Sequence, residues 1–409
     1  SARDRRAGGV FAPLCHYDYW DDTVRPSILL ESGADWLMYG MGENQSIAIA
    51  ERLAAGEAKA AIDDIRGTCV AVLAAEYTPR PCAECPSFAL VSPPTAEGKR
   101  QYAVAARIQQ DEQDDIRGKT VIQRHGDRIL IQNPPMPPLT TAELDWVYGL
   151  PYERRWHPSY DALGGVPGFD EVKFSLTHCR GCFGACNFCS IAFHQGRRIT
   201  CRSEESVVRE AELLTKLPDF KGYIHDVGGP TANFRRPSCD KQLTAGLCKG
   251  KKCLAPTPCP ALKADQSEYL HLLRRLRALP GVKRVFIRSG IRFDYLLEDK
   301  DESFFRELVA YHVSGQLKVA PEHCSDPVLR CMGKPSVATY RRFEKRFYEL
   351  TKSIGKKQYL VPYLMSSHPG STIRDAVELS LFLKKEGMHP EQVQDFYPTP
   401  GTISTAMFY

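Results

Sequence analysis

The hydrophobic positions beyond residue 171 follow two alternating patterns. Short apolar runs typical of buried strands lie at 172–178, 222–228, 284–290, 317–323, 358–367 and 393–399. Between them, apolar residues recur with helical spacing at 203–217, 267–279, 301–312, 337–354 and 371–387. Six strands that alternate with five helices predict a parallel sheet of βα units, which right-handed crossovers would wind towards a partial barrel. A doubly wound sheet is the competing topology.

The first 170 residues show a more mixed pattern. They predict a helix over 44–55, strands over 67–73 and 128–134, and a polar helix near 97–115. A proline-rich passage at 134–152 leads into a short helix that Thr140 or Thr141 could cap. We therefore predict an α/β protein with three parts: a smaller, incomplete α/β N-terminal domain (1–133), a linker (134–170) and a partial (βα)6 barrel (171–409).

Composition and charge limit the partners that we expect for this protein. The net charge is +5, from 54 basic and 49 acidic residues, and no long block of one sign or membrane-spanning apolar run is present. We therefore expect a cytoplasmic protein without a nucleic-acid or membrane partner. The chain starts at Ser1 and ends in the apolar stretch AMFY, so we expect the intact protein to extend beyond both ends.

Cysteine usage points to metal chemistry. Of the fifteen cysteines, four lie in HCRGCFGACNFCSIAFHQ (178–195), namely Cys179, Cys182, Cys186 and Cys189. In a reducing compartment such clusters are metal ligands or catalytic groups more often than disulfides. Structural zinc usually uses two ligand pairs farther apart, whereas one short run can wrap an iron–sulfur cluster. Without Cys179, the remaining C-x₃-C-x₂-C run would leave one iron of a four-iron cluster without a protein ligand.

Other polar and glycine-rich segments share the position of this run. The run follows the first predicted strand, and the next four strands are followed by GGPT (228–231), SGIRFD (289–294), PEH (321–323) and SSHPGS (366–371). Ligands of parallel α/β folds bind at the carboxyl ends of the strands. The five segments therefore predict one site on one rim.

C-x₃-C-x₂-C with an aromatic residue before the last cysteine, after the first strand of a βα barrel, resembles the radical SAM superfamily signature. The resemblance is closer to one branch, the YgiQ family of poorly characterised radical SAM proteins. It rests on HYDYWDD (16–22), IQRHGDR (122–128), RGCFGACNFCSI (180–191), GYIHDVGGPTANF (222–234), VFIRSGIRFDY (285–295), KVAPEH (318–323), LVPYLMSSHPGST (360–372) and QDFYPTPGT (394–402).

The resemblance implies a [4Fe–4S] cluster on Cys182, Cys186 and Cys189, with S-adenosylmethionine (SAM) bound at the open iron. Reductive cleavage of SAM would give a 5′-deoxyadenosyl radical that abstracts hydrogen from a substrate the sequence does not identify. An electron donor such as flavodoxin or ferredoxin is implied as a partner. By the same analogy, SAM is expected to lie against Phe188, Gly228, Gly229, Arg288 and Ser289. Pro230 follows the glycine pair where the superfamily often has an acidic residue.

A second group of cysteines lies in an insertion at 235–265 and comprises Cys239, Cys248, Cys253 and Cys259. A loop with so little apolar content needs a staple, so these thiols predict zinc, a second iron–sulfur cluster or a redox-sensitive disulfide.

Two other functions remain open at this level. One is a metal-dependent hydrolase that uses rim residues such as His178, His225, His323, His368 and Glu322, although no HExxH motif is present. The other is a non-enzymatic iron–sulfur electron carrier or sensor, which would usually close its cluster with four ligands.

Overall fold

A computed structural model describes residues 13–390 and 394–409. Residues 1–12 of the predicted N-terminal domain and residues 391–393 lie outside this description. The strands are β1 (His16–Asp18), β2 (Thr23–Arg25), β3 (Leu37–Met38), β4 (Thr68–Leu73), β5 (Cys82–Glu84), β6 (Thr120–His125), β7 (Arg128–Gln132), β8 (Ser175–Thr177), β9 (Cys179–Arg180), β10 (Thr200–Cys201), β11 (Tyr223–Ile224), β12 (Asp226–Gly228), β13 (Arg284–Val285), β14 (Gln316–Glu322), β15 (Tyr359–Ser366) and β16 (Gln394–Asp395).

The α-helices are α1 (Ile28–Ser32), α2 (Glu43–Ala54), α3 (Phe88–Val91), α4 (Ala96–Asp111), α5 (Thr141–Tyr148), α6 (Pro167–Val172), α7 (Ile191–Gln195), α8 (Glu204–Thr215), α9 (Lys241–Thr244), α10 (Ser267–Arg277), α11 (Phe293–Leu296), α12 (Ser303–Glu307), α13 (Asp326–Met332), α14 (Val337–Ser353), α15 (Ile373–Lys385) and α16 (Ile403–Phe408). Short 3₁₀ turns lie at Lys59–Ala61 and Pro158–Leu163, and a π-helical turn follows α12 at Leu308–His312.

The N-terminal part is built on one mixed sheet. Its strand order is β3-β4-β7-β6-β5, antiparallel except for the parallel pair β5 and β6. The predicted strands at 67–73 and 128–134 are β4 and β7, and the predicted helices are α2 and α4. Apolar side chains of β1, β4, β6, β7 and α4 form a core of their own, which includes Tyr17, Cys69, Tyr102, Val121 and Leu130.

The second part contains the predicted alternation of strands and helices. The six predicted strands correspond to β8, the pair β11 and β12, β13, β14, β15 and β16, and the five predicted helices are α8, α10, α12 with its π turn, α14 and α15. Every recorded pairing among these strands is parallel and joins strands that follow one another in the chain, in the orders β8-β12, β11-β13 and β14-β15-β16. The fold is thus α/β with small parallel sheets.

A doubly wound sheet would show a reversal of strand order, and none is seen within these sheets of the described residues. In the described ranges no pairing joins β13 to β14, so the partial (βα)6 barrel stays a prediction. The domain boundaries at 133 and 171 also stay predictions.

Two segments connect the parts of the chain. Thr140 caps α5 in a capping box with Glu143, as one of the two predicted caps. At the other end, α16 lies against α4, and Tyr409 packs on Tyr17 and Tyr102 of the N-terminal core. Over 13–390 and 394–409, no helix has the length and apolar character needed to span a bilayer.

Candidate functional site

The three-cysteine loop runs between β9 and α7, and its backbone is held tightly. Gly181 has a φ of 88°, and a Cβ there would lie 2.3 Å from the carbonyl oxygen of Arg198, so only glycine fits. Cys182 donates its backbone N–H to the carbonyl of Gly196 at 3.0 Å. Phe183 is fully buried and stacks on Phe234 with ring centroids 3.9 Å apart. The residue beside the first predicted ligand therefore anchors the loop in the core.

Cys182, Cys186 and Cys189 all line one cavity of about 850 Å³. Phe188, Arg288 and Ser289 line the same cavity, as do residues of β14 and β15. The structure thus brings together the three predicted cluster ligands and three of the five predicted SAM contacts. The volume lies within the range of small-molecule sites, roughly 300–1,000 Å³.

Arg292 is a residue of this cavity that the sequence analysis did not identify. Its side chain is buried and donates from Nη1 to the Sγ of Cys186 at 3.3 Å. It also pairs with the buried carboxylate of Asp294, through Nε to Oδ1 at 2.9 Å and Nη2 to Oδ2 at 2.5 Å. A cation therefore lies against the thiol loop, held in place by an acid two residues away. Asp294 lies two residues from Arg292 in SGIRFD, but nothing in that segment shows that the arginine is buried and so needs a partner.

Burial controls the protonation of the thiols. It raises the pKa of Cys189 to about 12, and it also raises the pKa of Cys182, where the charge of Arg292 opposes it. Without a metal these two thiols are therefore neutral near pH 7. Thiolate formation has to accompany metal binding, because metal ligation releases thiol protons.

The glycine pair Gly228 and Gly229 is packed against the protein itself. A Cβ on Gly228 would lie 2.2 Å from Oγ of Ser289, and a Cβ on Gly229 would lie 2.5 Å from Sγ of Cys179. Within the described residues the pair does not line the 850 Å³ cavity, whereas Pro230 and Thr231, the next two residues, do. Contact of the pair with SAM stays a prediction.

Asp226, on β12, organises the turn that follows β13. Its Oδ1 accepts the backbone N–H groups of Arg288 at 2.7 Å and Ser289 at 3.2 Å, and the Ser289 hydroxyl at 3.3 Å. Arg288 itself is half exposed and reaches Glu171 at 3.7 Å. Its guanidinium is therefore only weakly held by the protein and can turn to an anionic ligand.

Glu322, one of the predicted rim residues, also lines the cavity. It ends β14 next to an irregularity in the β14–β15 register, and its φ of 71° is unusual for a residue other than glycine. The carboxyl is buried, and one oxygen lies 3.6 Å from Nζ of Lys334, which is also buried. The other oxygen, Oε2, has no hydrogen-bond partner within the described part of the chain. Burial raises the pKa of Glu322, and the charges of Lys334 and Arg292 oppose this.

Cys179 lies apart from the other three cysteines of its run. It sits opposite Cys201 in the β9–β10 ladder, and neither residue lines the 850 Å³ cavity in the described residues. A hydrogen bond from Cys179 is the main cause that lowers the pKa of Cys201 to about 5, with further support from His178. Cys179 therefore lies outside the cavity that the other three cysteines line, and the choice of cluster ligands stays a prediction.

Three of the four rim histidines have hydrogen-bond partners in the protein. Nδ1 of His323 accepts the backbone N–H of Ser325 at 2.9 Å. His178 bonds through Nε2 to the carbonyl of Ala232 at 2.8 Å, and His368 bonds through Nε2 to Oγ of Ser404 at 2.7 Å. Over the described ranges, no group of three His, Cys, Asp or Glu side chains is arranged to hold a single metal ion.

Comparison with known proteins identifies one region and a set of relatives. Residues 8–175 match the family described as Radical SAM N-terminal. The chain is 54% identical to a UPF0313 protein of Clostridium perfringens (strain SM101 / Type A) over 405 residues, which cover 98% of this chain and 61% of the relative. It is equally similar to a UPF0313 protein of Clostridium botulinum (strain Okra / Type B1), of which it covers 62%. The chain therefore spans less than two thirds of the length of these curated relatives.

Two solved structures with low similarity to this chain are described as radical SAM enzymes. The radical S-adenosylmethionine methyltransferase TsrM from Kitasatospora setae, solved with cobalamin and a [4Fe–4S] cluster, is 14% identical, with a TM-score of 0.45 over 88% of this chain and 52% of TsrM. The cobalamin-dependent S-adenosylmethionine radical enzyme OxsB is 12% identical, with a TM-score of 0.40 over 72% of this chain and 36% of OxsB.

Proposed function

As this chain is a relative of the UPF0313 proteins and carries a Radical SAM N-terminal region, we propose that it is an iron–sulfur enzyme that starts radical chemistry from SAM. The observation that supports this best is the convergence of Cys182, Cys186 and Cys189 on one cavity of about 850 Å³. The cavity is large enough to hold a cofactor and a substrate group beside the thiols.

The residues around the thiols fit a [4Fe–4S] cluster. Three cysteines would ligate three irons and leave the fourth open to the amino and carboxylate groups of SAM. When held by these three cysteines, a reduced cluster would supply the one electron needed for cleavage of the C–S bond of SAM into methionine and a 5′-deoxyadenosyl radical. Arg292 donates to Cys186 and so stabilises negative charge on the ligand sulfur.

The cavity also offers polar groups for SAM. The unpartnered Oε2 of Glu322 is an acceptor for a cationic group, and the ammonium of SAM is such a group. Arg288 and Ser289 offer a cation and a hydroxyl at the carboxyl end of β13 for carboxylate and ribose oxygens. Phe188, on the same wall, offers an aromatic face for the adenine.

A direct test is anaerobic reconstitution with iron and sulfide, followed by dithionite and SAM. We expect 5′-deoxyadenosine from the wild type, none from Cys182→Ala, and normal amounts from Cys82→Ala, a control cysteine on β5. Glu322→Gln is expected to load the cluster normally and to bind SAM at least tenfold more weakly, because a charge-assisted hydrogen bond contributes about 1.5–3 kcal/mol. A well-loaded wild-type cluster that yields no 5′-deoxyadenosine would overturn the proposal.

The setting we propose is the cytoplasm, where a flavodoxin or ferredoxin would supply the electron. The alternative is an iron–sulfur electron carrier or sensor without enzymatic activity. This alternative requires a cluster that loads and cycles between oxidation states while SAM leaves its EPR spectrum unchanged. A change in that spectrum on addition of SAM would favour the enzyme.

A further inference from the structure

The insertion that carries the second cysteine group has a cavity of its own. Cys239, Cys248, Cys253 and Cys259 all line a space of about 500 Å³. All four are free thiols that are neither fully buried nor fully exposed. Four cysteines spread over 21 residues of a loop thus line one cavity.

Contacts with the rest of the chain hold this loop in place. Asp114, beyond the end of α4, accepts the backbone N–H of Leu247 at 2.8 Å, and Arg117 donates to the carbonyl of Leu247. Arg197 donates to the carbonyls of Cys248 at 3.3 Å and Lys251 at 3.0 Å. These contacts therefore hold the backbone on both sides of Cys248, so the cavity that the thiols line is fixed by the rest of the chain.

The charge around this space suits an anionic group. Six cationic side chains line it, and within the described residues no carboxylate does; the cations are Arg197, Lys241, Lys251, Lys252, Arg330 and Lys334. Nε of Arg197 is buried and has no hydrogen-bond partner among the described residues. Such cationic surroundings stabilise a metal group that carries excess negative charge.

The lack of a single-ion site among these thiols distinguishes the possible occupants. Zinc needs four sulfurs about 2.3 Å from one centre, and no three of these side chains form such a single-ion site. A four-iron cluster holds its cysteine ligands farther apart, round a larger volume, as the 500 Å³ cavity allows.

The second group lies next to the first. A third cavity, of about 440 Å³, is lined by Cys186 and Cys189 on one side and by Cys248 and 249–252 on the other. Lys252 donates to the carbonyl of Ala185 and interacts electrostatically with the thiols of both Cys186 and Cys253. One side chain therefore bridges the two thiol groups.

From these contacts we infer that Cys239, Cys248, Cys253 and Cys259 hold a second [4Fe–4S] cluster beside the first. Four ligands would leave it no open iron, so its role is electron transfer. One electron from a ferredoxin or flavodoxin would reduce this cluster, which would pass the same electron to the cluster at Cys182, Cys186 and Cys189. The relay rests on the proposed function, whereas the presence of the second cluster does not.

The test is iron and sulfide counting with Mössbauer and EPR spectroscopy after anaerobic reconstitution. We expect about eight irons in the wild type and about four in both Cys253→Ala and the triple variant with alanine at 182, 186 and 189. Cys82→Ala, as the matched control, should keep all eight. The triple variant leaves the insertion intact, so it decides the question even if Cys253→Ala fails to fold.

A wild type with about four irons, and a triple variant with none, would overturn the second cluster even if 5′-deoxyadenosine is made. One tightly bound zinc in the triple variant would overturn it equally. A triple variant that keeps its irons, with no 5′-deoxyadenosine from the wild type, would instead overturn the proposed function. The relay predicts that reduced flavodoxin reduces the first cluster at least tenfold more slowly in Cys253→Ala, while dithionite reduces it fully. Equal rates would overturn the relay.

Discussion

Replacing Arg292 by methionine tests whether a buried ion pair supports the three-cysteine loop. The side chains of Arg292 and Asp294 are only 10% and 2% exposed and share two hydrogen bonds. Removal of the arginine alone leaves the Asp294 carboxylate buried without its cation, at a cost of about 3–5 kcal/mol. That is a large part of the roughly 5–15 kcal/mol that stabilises a typical fold. The double variant Arg292→Met/Asp294→Asn removes both charges at similar volume, so we expect its stability to lie within about 2 kcal/mol of the wild type.

Urea denaturation of the metal-free protein measures these free energies of unfolding. The expected order is wild type, then Arg292→Met/Asp294→Asn, then Arg292→Met, with the single variant clearly lowest. A double variant no more stable than the single variant would refute the argument, because it would show that packing by the guanidinium, and not its charge, matters here.

The same variants have a second readout in the reconstituted protein. Arg292 donates to Cys186 at 3.3 Å, and a cation beside a ligand sulfur stabilises the reduced, more negative cluster. A hydrogen bond to a charged group contributes about 1.5–3 kcal/mol. For one electron, this corresponds to at most roughly 60–130 mV, since tenfold in equilibrium is about 59 mV. We expect EPR-monitored titration to show a potential tens of millivolts lower in Arg292→Met. An unchanged or higher potential would contradict the role given to Arg292.

Three further outcomes follow from the site. Cys179→Ala is expected to retain the iron and visible absorbance that Cys182→Ala loses, because Cys179 faces Cys201 instead of the cavity; equal loss in both would show that Cys179 is a ligand. Gly181→Ala, whose Cβ would lie 2.3 Å from a backbone oxygen, should destabilise the fold well beyond the control Gly126→Ala. At Gly126 the Cβ meets nothing within 4 Å, and only the positive φ costs about 1–2 kcal/mol. Thermal unfolding compares the two variants, and equal shifts in melting temperature would argue against a tight loop. The pKa of Cys201 is lowered to about 5 in the fold, so its stabilising contribution is present above the ordinary thiol pKa of 9 and is lost as pH falls towards 5. Cys201→Ser should therefore flatten the pH dependence of stability in that window, and a profile identical to the wild type would refute the depressed pKa.

Local elements of this chain could be predicted from spacing alone. The helical repeat at 337–354 became α14, because its apolar positions Tyr340, Phe343, Phe347 and Leu350 lie on one buried face. The apolar run at 222–228 was harder to predict in detail. It forms two short strands separated at His225, since β11 pairs with β13 and β12 pairs with β8. Which neighbour a strand pairs with is a tertiary property, so periodicity could not show that break.

The cavity residues also differ in whether the sequence alone could predict them. The three cysteines were predictable because their spacing reflects one local loop, whose ends are only seven residues apart in the chain. Arg292 was not, because a single charged residue predicts a solvent-exposed side chain, and its contact with Cys186 spans 106 positions. Glu322 was noticed only as one of several polar rim residues. Its positive φ and its unpartnered oxygen depend on the irregular register between β14 and β15, which no local pattern encodes.

Charge balance links the two thiol groups. The buried pairs Arg292–Asp294 and Lys334–Glu322 each carry no net charge, so neither pair compensates an added charge in the cavity. The proposed [4Fe–4S] core, of charge 2+ with three thiolates, would add one negative charge, which a buried site must compensate. Lys252 is placed to do so, since it donates to Ala185 within the loop and no carboxylate pairs with it in the described ranges. Burial lowers the pKa of Lys252 to about 8, and the charges of Cys186 and Cys253 oppose this shift. Lys252 belongs to the cysteine-rich insertion. The loop that carries the second thiol group would therefore also supply the positive charge that compensates a cluster at the first.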